Sequence, residues 1–121
     1  MRELEYVRRR FMRDLNTMGI DLNSELVLRS YSKTQWGNYD PNTDRISIYV
    51  FQEKGRITLI PYGTLFKVLL HEYVHSLEWK SSVWVRLKGV MHDPLFYRIY
   101  NHLLDVAVKV GVLSEEQRQC A

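Results

Sequence analysis

Two histidines and a glutamate lie close together in the middle of this chain, in the run His71-Glu72-Tyr73-Val74-His75. In an α-helix each residue turns by about 100°, so His71 and His75 point about 40° apart, one turn from each other. Glu72 falls about 60° beyond His75 on the same face. This H-E-x-x-H arrangement is typical of zinc hydrolases, in which the imidazoles bind the metal and the glutamate is the general base.

The motif lies inside an apolar stretch, Leu65 to Leu77, which predicts a buried helix from Leu65 to about Lys80. Thr64, which follows Gly63, is the expected N-cap. The alternative interpretation is a chance match without chemistry. Because an unpaired buried glutamate is costly, a glutamate between two histidines on a buried face favours the metal site.

A catalytic zinc site needs a third protein ligand and leaves one position open. The metzincin spacing would place glycine at 78 and histidine at 81, where this chain has Glu78 and Ser81, so that arrangement is excluded. A glutamate on the following helix, as in thermolysin-like enzymes, is also missing, because the next glutamate after Glu78 is Glu115. His92 is therefore the predicted third ligand.

His92 precedes a second predicted helix, whose apolar residues recur at helical spacing. These residues are Phe96, Ile99, Leu103, Val106 and Val110. His92 continues this stripe backwards by one turn, so it is expected on the side that meets the motif helix. Asp93-Pro94 is typical of an N-cap followed by proline in the first turn. His102 is a weaker alternative ligand because it lies about 80° off the stripe.

These motifs resemble those of the SprT-like metallopeptidases and of the minimal gluzincin-like proteases around them. The resemblance rests on H-E-Y-V-H at 71–75, on H-D-P-L-F at 92–96 and on the hairpin-like segment from Trp36 to Ile48. It covers roughly Lys33 to Val110. It implies a zinc site completed by His92 and proteolysis near DNA. SprT-like proteins often carry a cysteine-rich zinc ribbon, which is excluded here because Cys120 is the only cysteine in the sequence.

The whole sequence, 1–121, predicts a single α+β domain. Apolar residues at helical spacing predict an N-terminal helix from Glu3 to Met18. The predicted strands are Glu25–Arg29, Gln35–Tyr39, Arg45–Phe51 and Arg56–Ile60. They are expected to form a mostly antiparallel sheet of three or four strands, followed by the motif helix and the third-ligand helix. The tail, Ser114 to Ala121, is expected to fray.

The net charge of +3 is concentrated in the predicted first helix, which contains Arg8, Arg9, Arg10 and Arg13. A thinner basic set includes two tryptophans. It consists of Trp79, Lys80, Trp84, Arg86 and Lys88. Basic residues mixed with aromatic ones can bind single-stranded nucleic acid. Because the charge is modest, at most a weak nucleic-acid contact through the Arg8–Arg13 face is expected.

The beginning of the sequence is charged, and no apolar run is long enough to span a membrane. A single cysteine excludes an internal disulfide and suits a reducing compartment. These features predict a cytoplasmic protein without a membrane anchor.

The sequence as a whole predicts a zinc endopeptidase that cleaves polypeptides, with Zn²⁺ held by His71, His75 and His92. Glu72 would activate a water at the metal. One alternative is a nucleic-acid-binding module with a structural zinc ion, which is less favoured because structural sites are normally closed by four ligands. The other is a small interaction protein with a chance motif and no metal.

Two parts of the predicted catalytic cleft depend on proximity alone. Tyr97 and Tyr100 are both candidates for stabilising the oxyanion that forms during peptide hydrolysis. The substrate backbone is expected to pair with an edge of the sheet, at the Arg45–Phe51 hairpin.

Overall fold

The computed structural model describes residues 2–55, 57–81 and 92–120, and within them the chain forms four helices and three strands. Their order is α1 (Arg2–Thr17), β1 (Glu25–Arg29), β2 (Gly37–Asp40), β3 (Arg45–Tyr49), α2 (Tyr62–Lys80), α3 (Pro94–Lys109) and α4 (Glu115–Gln119). The architecture is α+β, as the sequence predicts. Trp84, Arg86 and Lys88 of the second basic set lie outside the described residues. None of the described helices is long and apolar enough to cross a membrane.

The described strands form a mixed sheet in the order β1-β3-β2, so the last strand of the sequence lies in the middle. β1 pairs with β3 in parallel, and β2 pairs with β3 as an antiparallel hairpin. The prediction of a mostly antiparallel sheet is therefore wrong, because the alternation within a strand indicates its faces but not its partners. The predicted fourth strand, Arg56–Ile60, is represented by an isolated bridge between Phe51 and Leu59, and Arg56 itself lies outside the described residues.

The core forms where α1 and α2 pack around the central strand. Val7, Phe11 and Leu15 of α1 are buried, as their helical spacing predicts. Phe11 contacts the ring of Phe66 from α2, with ring centroids 6.1 Å apart. Burying each such side chain contributes about 1.5–3 kcal/mol. The central strand is covered by these helices, and its residues Ile46 and Ile48 are both buried.

The motif helix α2 begins earlier than expected, at Tyr62. Pro61 is its N-cap residue, and no side chain caps the first turn, so the prediction of Thr64 as N-cap is wrong. Proline has a fixed φ that suits the start of a helix and no N–H group to satisfy there. α2 is packed on most sides, since its buried residues include Lys67 and Glu78 besides the apolar ones.

The buried face of α3 differs from the predicted stripe. Its buried residues are Phe96, Leu104 and Ala107, whereas Val110 at the end of the stripe is exposed. α3 packs against both α2 and α4. Its buried face is therefore set by two neighbours, which the periodicity of α3 alone does not identify.

The residues after α3 form a short helix, so the prediction of a frayed tail is wrong for the part that the structure describes. Ser114 and Gln117 form a capping box, in which each side chain bonds the other residue's backbone N–H, at 3.0 and 2.8 Å. The ammonium group of Lys67 donates to the backbone oxygens of Arg118, at 3.3 Å, and of Cys120. α2 thereby anchors the last carbonyl groups of α4.

Candidate metal centre

Three of the predicted site residues lie on the C-terminal half of α2. His71 is half-buried, while Glu72 and His75 are buried. The imidazole rings of His71 and His75 have their centroids 4.9 Å apart. The Nδ1 atom of His71 lies 3.1 Å from Oε2 of Glu72. The helical spacing thus places two imidazoles and a carboxylate on one face of the helix.

His92 reaches these residues from the turn that precedes α3. Its backbone has φ = 55°, in the left-handed region that residues other than glycine rarely adopt. Its Nε2 atom lies 3.1 Å from Nε2 of His75. As predicted, Asp93 is the N-cap of α3, accepting a hydrogen bond from the backbone N–H of Phe96 at 2.9 Å, and Pro94 follows it. This cap holds the backbone at the start of α3, and the turn before it directs His92 towards α2.

The three imidazoles form a nearly equilateral triangle, with ring centroids 4.9, 4.8 and 4.9 Å apart. One nitrogen of each ring lies within 4.8 Å of the others. In a tetrahedral zinc site with bonds of about 2.0–2.1 Å, ligand nitrogens lie about 3.3 Å apart. The donor set and its spacing therefore fit zinc after small rotations of the rings. His102 is exposed on α3 and is not part of this group.

Phe96 closes one side of the triangle. Its fully buried ring lies 4.9, 4.7 and 4.9 Å from the rings of His71, His75 and His92. Tyr100 stacks against Phe96 and lies 5.9 Å from His71. A ligand from solution cannot approach through the fully buried ring of Phe96. An ion held by the three imidazoles would thus have its open position on the opposite side.

The environment of the histidines favours their neutral forms. Burial lowers the pKa of His75 to about 4, and the neighbouring His71 and His92 lower it too, against the opposite effect of Glu72. Burial and the charge of His71 also lower the pKa of His92. Because only a neutral imidazole has a lone pair for a metal ion, both side chains are ready to bind one at neutral pH.

A pair of buried acidic residues lies next to the histidines. Glu78 and Asp93 are 3% and 7% exposed. Burial raises the pKa of Glu78 to about 7, and the charge of Asp93 and a hydrogen bond to it act in the same direction. Among the described residues, Oε2 of Glu78 and Nδ1 of His75 are buried polar atoms without a hydrogen-bond partner. Two unsatisfied atoms so close to one site need a physical explanation.

A cleft lies over the open side of the triangle. A cavity of about 430 Å³ is lined by the three histidines and Glu72 on one side and by β2 residues on the other. A second cavity of about 460 Å³ continues it past Trp36, Lys67 and Tyr100. Gly37, His71 and Glu72 line both cavities, so the two cavities adjoin at these residues, and together they are called the groove.

Gly37 marks the point at which β2 comes closest to α2. A Cβ atom added there would lie 2.6 Å from a methyl carbon of Val68. No side chain fits at that distance, so glycine is required to keep the strand beside the motif helix. The width of the groove depends on this contact.

Asp44 ties the β2–β3 hairpin to the far end of α2. It accepts hydrogen bonds from the hydroxyl groups of Tyr39, at 2.9 Å, and Ser24, at 2.8 Å. Its other oxygen lies 3.0 Å from the ammonium group of Lys80. Lys80, which belongs to the second basic set, therefore has a structural partner, and the network holds the cleft-lining Tyr39 in place.

Three of the arginines of α1, Arg8, Arg10 and Arg13, have partners within the protein. Arg8 donates to the backbone oxygen of Leu26 at 2.8 Å, and Arg10 lies 3.7 Å above the ring of Tyr62. Arg13 pairs with its neighbour Asp14 at 3.2 Å. These contacts explain the positions of three arginine side chains on the basic face without any contact to the phosphate backbone of a nucleic acid.

The sequence analysis missed three features of the site. Phe96 was assigned to the core alone, although its place four residues after His92 in H-D-P-L-F is a signal for a role beside the ligand. β2 was not recognised as the strand beside the cleft. Glu78 was used only to exclude the metzincin spacing, although a glutamate one turn beyond His75 on a buried helix could have pointed to a supporting role.

Comparisons with protein-family models, with curated proteins and with solved structures give no match for this chain. The resemblance to SprT-like metallopeptidases therefore stays a prediction. It rests on the residues at 71–75 and 92–96 themselves.

Proposed function

We propose that this protein is a zinc-dependent endopeptidase, with His71, His75 and His92 as the zinc ligands and Glu72 as the general base. The observation that carries the proposal is the meeting of His92 with the two histidines of the motif, beside a buried carboxylate and under an open groove. Three nitrogen ligands with an accessible fourth position are the arrangement of catalytic zinc sites.

When bound, zinc supplies Lewis acidity, polarising the peptide carbonyl and lowering the pKa of a water molecule towards about 7. Glu72 accepts a proton from the attacking water and passes it to the leaving amine. Its position supports both steps, because it is buried in the wall of the groove and held 3.1 Å from Nδ1 of His71. Phe96 keeps bulk water from the far side of the histidines.

Tyr100 is favoured over Tyr97 as the oxyanion-stabilising residue. Tyr100 lines the groove together with Glu72. Tyr97 is 47% exposed, and its ring centroid lies 6.2 Å from that of His92. Burial raises the pKa of Tyr100, and the neighbouring Tyr97 contributes to this shift. Its hydroxyl group therefore stays protonated and can donate a hydrogen bond to a developing negative charge.

The groove supports cleavage within a chain rather than at its end, because Glu72 lines both of the adjoining cavities. The strand beside it is β2, an outer strand of the sheet, and a substrate in extended conformation could pair with its backbone. The expectation that the Arg45–Phe51 hairpin strand supplies this edge is wrong, because β3 lies between two other strands.

The alternative function, a zinc-containing nucleic-acid-binding module, is less well supported. Arg8, Arg10 and Arg13 already have partners, and the described metal-binding group has three members rather than four. A cytoplasmic location, where the single cysteine would remain reduced, is part of the proposal.

Metal analysis and a single substitution test the proposal together. Protein purified without an affinity tag that carries metal should contain about one zinc ion per chain, as three converging ligands require. Glu72→Gln should keep the zinc and lose at least about 10²–10⁴-fold in the rate of cleavage of an unfolded protein substrate. Equal cleavage by the parent and by Glu72→Gln, or a parent without zinc, would rule the proposed mechanism out.

A further inference from the structure

The packing around His75 leaves two buried polar atoms without a partner among the described residues, Nδ1 of His75 and Oε2 of Glu78. A buried polar group that makes no hydrogen bond destabilises the folded protein, because it has lost its bonds to water. Nδ1 of His75 carries a proton in one tautomer of the ring, and Oε2 of Glu78 can accept a hydrogen bond from it. A hydrogen bond between them would satisfy both atoms at once.

The helix geometry permits this bond. Residues three apart on an α-helix are neighbours on its surface, so Glu78 lies beside His75. Long side chains on a helix point back towards its N-terminus, which directs the carboxyl group of Glu78 towards the turn that contains His75.

Asp93 lies beside Glu78, since its carboxyl group is among the causes that raise the pKa of Glu78. Asp93 also caps α3 by accepting a hydrogen bond from the backbone N–H of Phe96. The acidic pair therefore connects α2, next to His75, with the turn that directly follows His92.

We propose that Glu78 is the positioning residue of the metal site: its Oε2 atom accepts the Nδ1–H of His75 when Nε2 of His75 binds the metal. Histidines that bind metals almost always donate their second ring N–H to a carboxylate, a backbone carbonyl or water. The bond fixes the tautomer and the orientation of the His75 ring, and Asp93 extends its support to His92. This inference rests on the proposed function, because it requires His75 to be a ligand.

Zinc affinity, measured by competition with a coloured chelator, tests the role of Glu78. Glu78→Leu removes the acceptor and should weaken zinc binding about 10–100-fold, the range found for lost supporting partners of metal ligands. Glu78→Gln should stay within a few-fold of the parent, since its amide oxygen can accept from His75 while its amide nitrogen donates to Asp93.

Asp14→Leu is the matched control. Asp14 is also a buried acid, 6% exposed, but its partners are the hydroxyl of Tyr62, at 2.6 Å, and the guanidinium of Arg13, at 3.2 Å. It lines neither cavity of the groove. It should lower stability and leave zinc affinity unchanged. A merely structural role for Glu78 predicts the same result for Glu78→Leu.

Nitrogen NMR of the histidine rings gives a second measurement, which needs no folded Glu78→Leu variant. In the zinc-loaded parent and in Glu78→Gln, Nδ1 of His75 should carry a proton that exchanges slowly with water. A rapidly exchanging Nδ1 proton in the parent, or unchanged zinc affinity in folded Glu78→Leu, would overturn the positioning role alone. A parent that binds no zinc would overturn the proposed function and this inference with it.

Discussion

Glu72 and Glu78 lie on the same helix, fewer than two turns apart, and both are buried. Glu72 lines both cavities of the groove, whereas Glu78 lines neither cavity and faces Asp93. Burial alone therefore does not distinguish the carboxylate that we propose as catalytic from the one that we propose as supporting. Glu72 faces a space that a substrate can enter, whereas Glu78 faces the packed junction of two helices.

The largest effect is expected from the removal of His92, the proposed third zinc ligand. His92→Ala should weaken zinc binding more than about 100-fold, beyond the loss expected from any supporting residue, and should abolish cleavage. The far-ultraviolet circular dichroism should stay unchanged, because Asp93 still caps α3. Zinc titration measures the effect, with His102→Ala, at an exposed position on the same helix, as the control. Parent-like zinc affinity in His92→Ala would make Asp93 or His102 the third ligand.

On the groove side, Tyr100→Phe removes one hydroxyl group and little else. We expect kcat to fall about 10²–10³-fold, as for other single oxyanion-stabilising donors, while zinc content stays the same. Tyr97→Phe is the matched control and should have little effect, since Tyr97 is largely exposed. A larger loss in Tyr97→Phe than in Tyr100→Phe would reverse the assignment.

The spacing between β2 and α2 can be disturbed without touching either glutamate. Gly37→Ala forces a methyl group against Val68 and should cost about 1–3 kcal/mol of stability in urea denaturation. Cleavage should fall as the groove deforms, with zinc retained. Gly55→Ala is a suitable control, because a Cβ there meets only ordinary contacts, the nearest at 3.6 Å. Equal stability of the two variants would show that the close approach is not needed.

A smaller, pH-dependent effect is expected at Asp44, which holds the hairpin to α2. Burial raises its pKa, but hydrogen bonds from Ser24, Lys80 and Tyr39 and the charge of Lys80 outweigh this and hold the pKa below the ordinary value of 3.8. The stabilisation is therefore present above pH 3.8 and is lost as the pH falls through the folded-state pKa. Because the network is partly exposed, the effect is modest.

Thermal unfolding across pH measures this contribution. Asp44→Asn should be less stable than the parent at pH 7 and should lose less stability on acidification, so the two curves converge at low pH. Curves that stay parallel would exclude Asp44 as a contributor.

The smallest effect is expected for the basic helix. Replacing Arg8, Arg9, Arg10 and Arg13 together by Gln should leave zinc content and cleavage unchanged. The contacts that these arginines make within the protein would be lost. If all four contacted phosphates of a single strand, log K would change with log salt with a slope of about −3. We expect weak binding with a slope near zero in filter-binding titrations. Tight, salt-sensitive binding by the parent that the substitutions abolish would link the protein to DNA.

The sequence by itself determined the features that depend on local periodicity. The spacing of His71 and His75 places both imidazoles on one helix face, because a helix repeats every 3.6 residues. The apolar stripe of α1 and the Asp93-Pro94 start of α3 are confirmed for the same reason, since each is decided within a few neighbouring residues. The α+β class follows from the order of such elements.

The tertiary structure decided which elements meet. Four features join residues that are distant in sequence: the position of β3 between β1 and β2, the place of β2 beside the cleft, the approach of His92 to His75 and the proximity of Glu78 to Asp93. A repeat within one element fixes only the direction of its side chains. Their partners are chosen by packing among elements, whose energy comes from contacts across the whole fold.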